Sequence, residues 1–193
     1  MTLLVIGLAL FLGMHSVRIV AEPWRSRMLA RLGPGGWKGL YTVISLAGFA
    51  LIAIGYGLAR QAPVDLWLPP VWTRHLAALL TLPAFVLLAA AYVPGNAFKA
   101  RLGHPMLLGT KVWALAHLLA NGRLADLLLF GAFLLWAALA FRAARRRDRS
   151  SQPAASVSIR TSATVATLVC GVVGWAVFTF VLHLRLIGVA PLG

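Results

Sequence analysis

Six runs of apolar residues divide the chain, at about 2–20, 39–59, 75–94, 105–121, 125–141 and 164–187. A helix rises ~1.5 Å per residue, so runs of this length suit an ~30 Å hydrocarbon core, the fourth and fifth being short for it. Inside lipid each segment must satisfy its own backbone N–H and C=O groups, which selects helices over open strands. The expected fold is an all-α polytopic transmembrane bundle of about six spans, a single integral membrane domain over residues 1–193. Composition agrees: 61% of the residues are hydrophobic and 11% charged, against ~45–50% and ~25% in soluble domains. The N-terminus is apolar from Thr2 onward without a basic leader, which reads as a retained first span rather than a cleaved signal peptide.

The net charge of +14 raises the question of nucleic acid. Its distribution answers no: the basic residues gather between apolar runs, and no aromatic RNA-binding signature accompanies them. The expected partner is the lipid bilayer. Arg18, Arg25, Arg27, Arg31 and Lys38 follow the first span, Lys99, Arg101 and Lys111 the third, and Arg142, Arg145, Arg146, Arg147, Arg149 and Arg160 the fifth. Only Arg60, Arg74, Arg123 and Arg185 fall on the other side. By the positive-inside bias, both termini face the periplasm of a bacterial inner membrane. Cys170 is the sole cysteine, so an intramolecular disulfide and a cysteine-built zinc or iron–sulfur site are excluded.

Tight turns order the spans. "NGR" (Asn121 to Arg123) makes the fourth and fifth antiparallel neighbours, and "GPGG" (Gly33 to Gly36) and "PGNAF" (Pro94 to Phe98) interrupt the helical pattern. Residues 142–163 combine an arginine cluster with a Ser/Ala/Pro stretch and read as a basic, flexible cytoplasmic connection. No internal repeat is present.

Ionisable side chains inside membrane helices are costly and face cavities, cofactors or one another. His15, Arg18 and Glu22 are spaced to line one helix face, with Arg18 able to snorkel or to pair with Glu22. In "GHPMLLGTKVWALAHLLANG" (Gly103 to Gly122), His104 precedes Pro105 at a helix start and Lys111 can snorkel. His117 sits one turn after Trp113 with no charged neighbour in sequence. Counted along their helices, His15 lies about 20 Å from the outer boundary and His117 about 18 Å from the inner one. The two then differ in depth by roughly 8 Å in an ~30 Å core. Two neutral imidazoles facing across an apolar bundle can ligate a b-type haem, with Arg18 and Arg27 at its propionates. They can equally hydrogen-bond backbone carbonyls and do nothing more. His75 and His183 read as interfacial, and Asp126 as a cap for the helix after the NGR turn.

"FLGMHSVR" (Phe11 to Arg18), "GWKGLYTVISLAGFALIAIGYGLAR" (Gly36 to Arg60) and residues 103–122 resemble the NnrU family of bacterial membrane proteins. The family is associated with nitrite and nitric oxide reduction in denitrifying bacteria. It is distantly similar to zeta-carotene isomerase, a haem-b membrane enzyme that isomerises a cis double bond in a carotenoid. That enzyme shares an early His-Ser pair, an RHP motif and a W-C-L-A-H motif. The resemblance implies haem b with His15 and His117 as its ligands and Arg18 and His104 as further cofactor-site residues. Two departures bear on activity: Ala114 stands where the isomerase has a cysteine, and Gly103 where it has the arginine before His-Pro.

Three functions follow as expectations. The first is a haem protein, either a redox helper of denitrification with a redox partner or an isomerase acting on an apolar polyene. The second is an S-adenosylmethionine-dependent membrane methyltransferase, to which "HPMLLG" (His104 to Gly109) is a loose match without the C-terminal acid and arginine. The third is a non-enzymatic membrane assembly factor, docking through the arginine-rich connection.

Overall fold

The computed structural model describes residues 1–150 and 158–192. The described chain is helical, with no strand beyond one antiparallel bridge between Asp65 and Arg123. The order is α1 (Thr2–Val20), α2 (Glu22–Ala59), α3 (Trp72–Tyr92), α4 (Ala97–Leu102), α5 (Pro105–Ala120), α6 (Leu124–Ser150) and α7 (Thr161–Val177). A π-helical turn, Phe178–Leu182, then carries α7 into α8 (His183–Ile187). Five helical stretches are long and apolar enough to cross a membrane: α1, α2, α3, α6 and α7 through α8. The sixth apolar run, α5, has 16 residues and rises only about 24 Å.

Along the spans, large apolar side chains point outward, among them Val43, Leu46, Leu79, Leu135 and Phe180. A water-soluble surface does not carry such a band, and the helices are those of a membrane protein. In that solvent apolar burial gives no net drive between helices, so close contact must come from small residues. The sequence supplies them. A Cβ on Gly7 would stand 2.5 Å from the Ile52 nitrogen, and one on Gly48 2.7 Å from the Phe11 nitrogen. One on Gly55 would overlap the Leu4 backbone. These three glycines lock α1 antiparallel to α2. Gly109 does the same for α5 on α3, and Gly171 for α7 on α3. Helices therefore pack in the order α2, α1, α6, α5, α3, α7, and Arg60 Nη1 donates to the Ile187 carbonyl at 2.5 Å to tie α2 to α8.

Two expected connections are helical. The basic stretch after the first span is the first part of α2, not a loop. Ala21 (φ −137°, ψ 40°) ends α1, Pro23 opens α2, and Gly33 (φ 69°, ψ 170°) breaks it before Pro34. A residue preceding proline is pushed out of the α region, and at positive φ only glycine is comfortable. Trp24 meets Trp37 edge-on at 5.9 Å, folding this arm back on the rest of α2. The break at Ala21 also separates Glu22 from the α1 face. Glu22 accepts from Arg25 at 2.8 Å instead of pairing with Arg18. The arginine cluster from Arg142 to Arg149 is likewise the last turns of α6; the Ser/Ala/Pro part of that connection, residues 151–157, lies outside the described residues.

The charges separate by end. The turns at 60–71, 121–123 and 187–189 meet at one end: Leu66 and Trp67 donate to the Gly122 carbonyl at 2.8 and 3.2 Å, and Leu124 to Val64 at 2.9 Å. The other end gathers α4, the start of α5 and the end of α6, with Arg160 N–H bonded to the Gly95 carbonyl at 2.9 Å. This second end is the basic one.

Candidate functional site

The two histidines that most resist a packing explanation are held by the same local device. In α1, His15 stacks on Phe11 one turn earlier, with ring centroids 4.2 Å apart, and its Nδ1 donates to the Phe11 carbonyl at 2.7 Å. In α5, His117 sits 5.1 Å from the Trp113 ring one turn earlier, and its Nδ1 donates to the Trp113 carbonyl at 2.8 Å. A carbonyl can only accept, so each Nδ1 carries a hydrogen and the neutral ring keeps its lone pair on Nε2. Neither Nε2 has a hydrogen-bond partner among the described residues. Anchoring one ring nitrogen to a carbonyl while the other stays free is how proteins orient metal-ligating histidines.

α6 measures their separation. His15 meets Trp136 edge-on at 5.9 Å, whereas His117 stacks on Phe130 at 4.5 Å. Those α6 residues are six apart, about 9 Å along a helix axis. Between the imidazoles stand aromatic rings: Phe11 lies 5.8 Å from Phe133, and Phe133 5.6 Å from Trp113. The structure thus brings both histidines to one aromatic cluster but not into contact with each other. Trp136 Nε1 is a buried donor without a partner among the described residues, beside His15.

Around His15 there is room. A cavity of about 350 Å³ is lined by His15, Arg18, Arg25, Trp37, Lys38 and Tyr41, with Met14 and Val17. Arg18 is there as expected; Arg27 is not, and Arg25 and Lys38 take its place. Around His117 the neighbours are polar only toward the less basic end. Asp126, 3% exposed, accepts the Tyr56 hydroxyl at 2.5 Å and the Arg123 N–H at 3.2 Å. The cap role expected of Asp126 is present, and the Tyr56 bond adds a tie to α2. Arg123 in turn reaches Asp65 at 3.3 Å.

His104 belongs to neither place. Its Nε2 pairs with Asp148 Oδ2 at 3.0 Å, beside Arg145 at 3.8 Å from the same oxygen. It also lines a separate cavity of about 260 Å³ with Lys99 and Met106. Lys111 sits over the Phe141 ring at 5.0 Å. His183 Nδ1 donates to the Val189 carbonyl at 2.7 Å near the chain's end.

The donor set is the kind a haem uses. No group of three or more His, Cys, Asp or Glu among the described residues could hold a bare metal ion, whereas a haem supplies four nitrogens itself and asks the protein for two. The packing is another matter. The His15 cavity is at the small end of the range for cofactor sites, and Phe11, Phe133 and Trp113 occupy the space between the imidazoles. The donors fit a haem; the volume between them does not accommodate its macrocycle in this arrangement. Ala114 is fully buried in a core with Leu8, Ile52 and Phe130.

No curated protein and no solved structure matches the chain. The family model for the NnrU protein matches residues 3–191, nearly the whole sequence, and the chain belongs to the NnrU family.

Proposed function

We propose that this NnrU-family membrane protein binds haem b through His15 and His117 and serves electron transfer or haem handling in nitrite and nitric oxide reduction. The observation that carries the reading is the pairing of two imidazoles, each anchored by Nδ1 to the carbonyl one turn back, each with a free Nε2, on one aromatic cluster. His15 is the donor with open space beside it. His117 would supply the second donor only with Phe11, Trp113 and Phe133 displaced from the places they hold between the imidazoles. Arg18, Arg25 and Lys38 supply cations for the propionates at the basic end. His104, tied to Asp148 and lining a separate cavity, lies apart from this pair.

A haem supplies one-electron chemistry when bound; the chain's part is to orient two neutral imidazoles and keep water from the apolar ring cluster. Ala114 favours the redox reading over polyene isomerisation. A bis-histidine haem has no open position, and exchange of a ligand for a neighbouring thiol is closed to this chain. The basic end faces the cytoplasm of a bacterial inner membrane on the positive-inside bias. The test is the absorption spectrum of detergent-purified protein expressed with ample haem. A Soret band in wild type, lost in His15→Ala and in His117→Ala, is expected. A colourless wild type that binds S-adenosylmethionine saturably would instead favour the methyltransferase reading.

A further inference from the structure

The cavity beside His15 has features that ligation does not use. Three segments converge on it: α1 through Met14 and Arg18, the first arm of α2 through Arg25, and the later part of α2 through Trp37 and Lys38. They converge because the chain breaks twice, at Ala21 and at Gly33, and because Trp24 holds the arm against Trp37. Burial orders the lining: Met14 and Trp37 are buried, Arg25 is half-buried, and Arg18 and Lys38 are exposed. An apolar floor therefore lies under a mouth carrying three cations. The nearest acid is Glu22, which is exposed and bonded to Arg25. Arg18 and Lys38 have no acidic partner among the described residues. Like charges around one small volume repel, and among the described residues only Arg25 has an acid, Glu22, to balance it.

We propose that this cavity binds the acidic head of an amphiphile, a phosphate or carboxylate held by Arg18, Arg25 and Lys38, with the apolar body lying against Met14 and Trp37. The site is at the basic end of the bundle, where such heads are concentrated at an anionic leaflet. Guanidinium groups suit it, because their paired donors match the oxygens of phosphate or carboxylate. Two sources carry this chemistry and exclude each other at the same three cations: an anionic phospholipid, which needs no haem, and the propionates of a haem, which rest on the function proposed above.

The test uses the full chain in detergent, titrated with phosphatidylglycerol and with phosphatidylcholine and read by native mass spectrometry. A parallel arm titrates haem and its dimethyl ester, read by absorbance. Wild type is compared with Arg18→Gln/Lys38→Gln and with Arg142→Gln/Arg146→Gln, which removes equal charge from exposed positions on α6. Each cation removed from the cavity is expected to weaken binding about fivefold. Loss of the phosphatidylglycerol preference in the first variant alone identifies a phospholipid head. Loss of the preference for haem over its ester in that variant alone identifies the propionates. Unchanged binding in both arms, or equal loss in the α6 control, overturns the proposal. Lys38→Gln alone, at an exposed position, decides the matter if the double variant does not fold. The haem reading fails separately, on the histidine variants.

Discussion

His15 and His117 have nearly the same local geometry and different neighbours. Each follows an aromatic residue by four positions, donates Nδ1 to that residue's carbonyl, and lies nearly parallel to a phenylalanine ring, at 27° for His15 on Phe11 and 28° for His117 on Phe130. Yet His15 borders a cavity with three cations, while His117 is wedged between Trp113 and Phe130 on the side of the buried Asp126. One i,i+4 pattern thus yields one half-buried donor beside a cavity and another packed among aromatic rings. The pattern sets the tautomer and the free nitrogen; the tertiary neighbours decide what can reach it.

The largest effect that separates the two sides comes from the α1–α2 seam. Gly55→Leu places a side chain where the Leu4 backbone stands. Overpacking of this kind costs about 1–3 kcal/mol or more, and it pries α1, with His15, away from α2. A lower melting temperature in detergent is expected, with the α5–α6 contact that holds His117 kept. An unchanged melting curve would mean that the glycines do not set the helix spacing.

On the His117 side, Asp126→Ala leaves the Tyr56 hydroxyl and the Arg123 N–H without their acceptor. A buried donor left unsatisfied costs about 1–3 kcal/mol. Asp126→Asn keeps an acceptor oxygen and is expected to lose less, as is Tyr56→Phe. Thermal melts of the three variants rank them, and equal melts for Asp126→Ala and wild type would remove Asp126 as the tie between α2 and α6. The smallest effect belongs to the exposed His104–Asp148 pair. Such pairs contribute about 0–1 kcal/mol, so Asp148→Ala is expected to leave both stability and haem content nearly unchanged. A marked fall in haem content would bring His104 back into the cofactor site.

Much of this was legible in the sequence because lipid imposes it. Runs such as 2–20 and 75–94 name their helices by apolarity alone, and the tight turn at Asn121 to Arg123 makes α5 and α6 neighbours. Depth counting put His15 and His117 roughly 8 Å apart, close to the spacing that Phe130 and Trp136 mark on α6. Other features depended on neighbours distant in sequence. Glu22 fell on the α1 face only while the helix was assumed to continue through Ala21. The folded-back arm of α2 carries the charges of a loop and shows itself only through Trp24 against Trp37. Asp126 announces a cap, but nothing local announces Tyr56, seventy residues away. The rings between the histidines were visible as Phe11, Trp113 and Phe133; that they fill the gap is a matter of packing. The repeated aromatic-x-x-x-His spacing was the available signal for the shared anchoring of the two rings.

The central claim is that two unlike histidine environments serve one haem. The most direct measurement is the Soret absorbance per polypeptide of wild type, His15→Ala and His117→Ala, each purified after expression with ample haem. The account predicts a band in wild type that is lost in both variants. A colourless wild type, or a band that survives both substitutions, would contradict it.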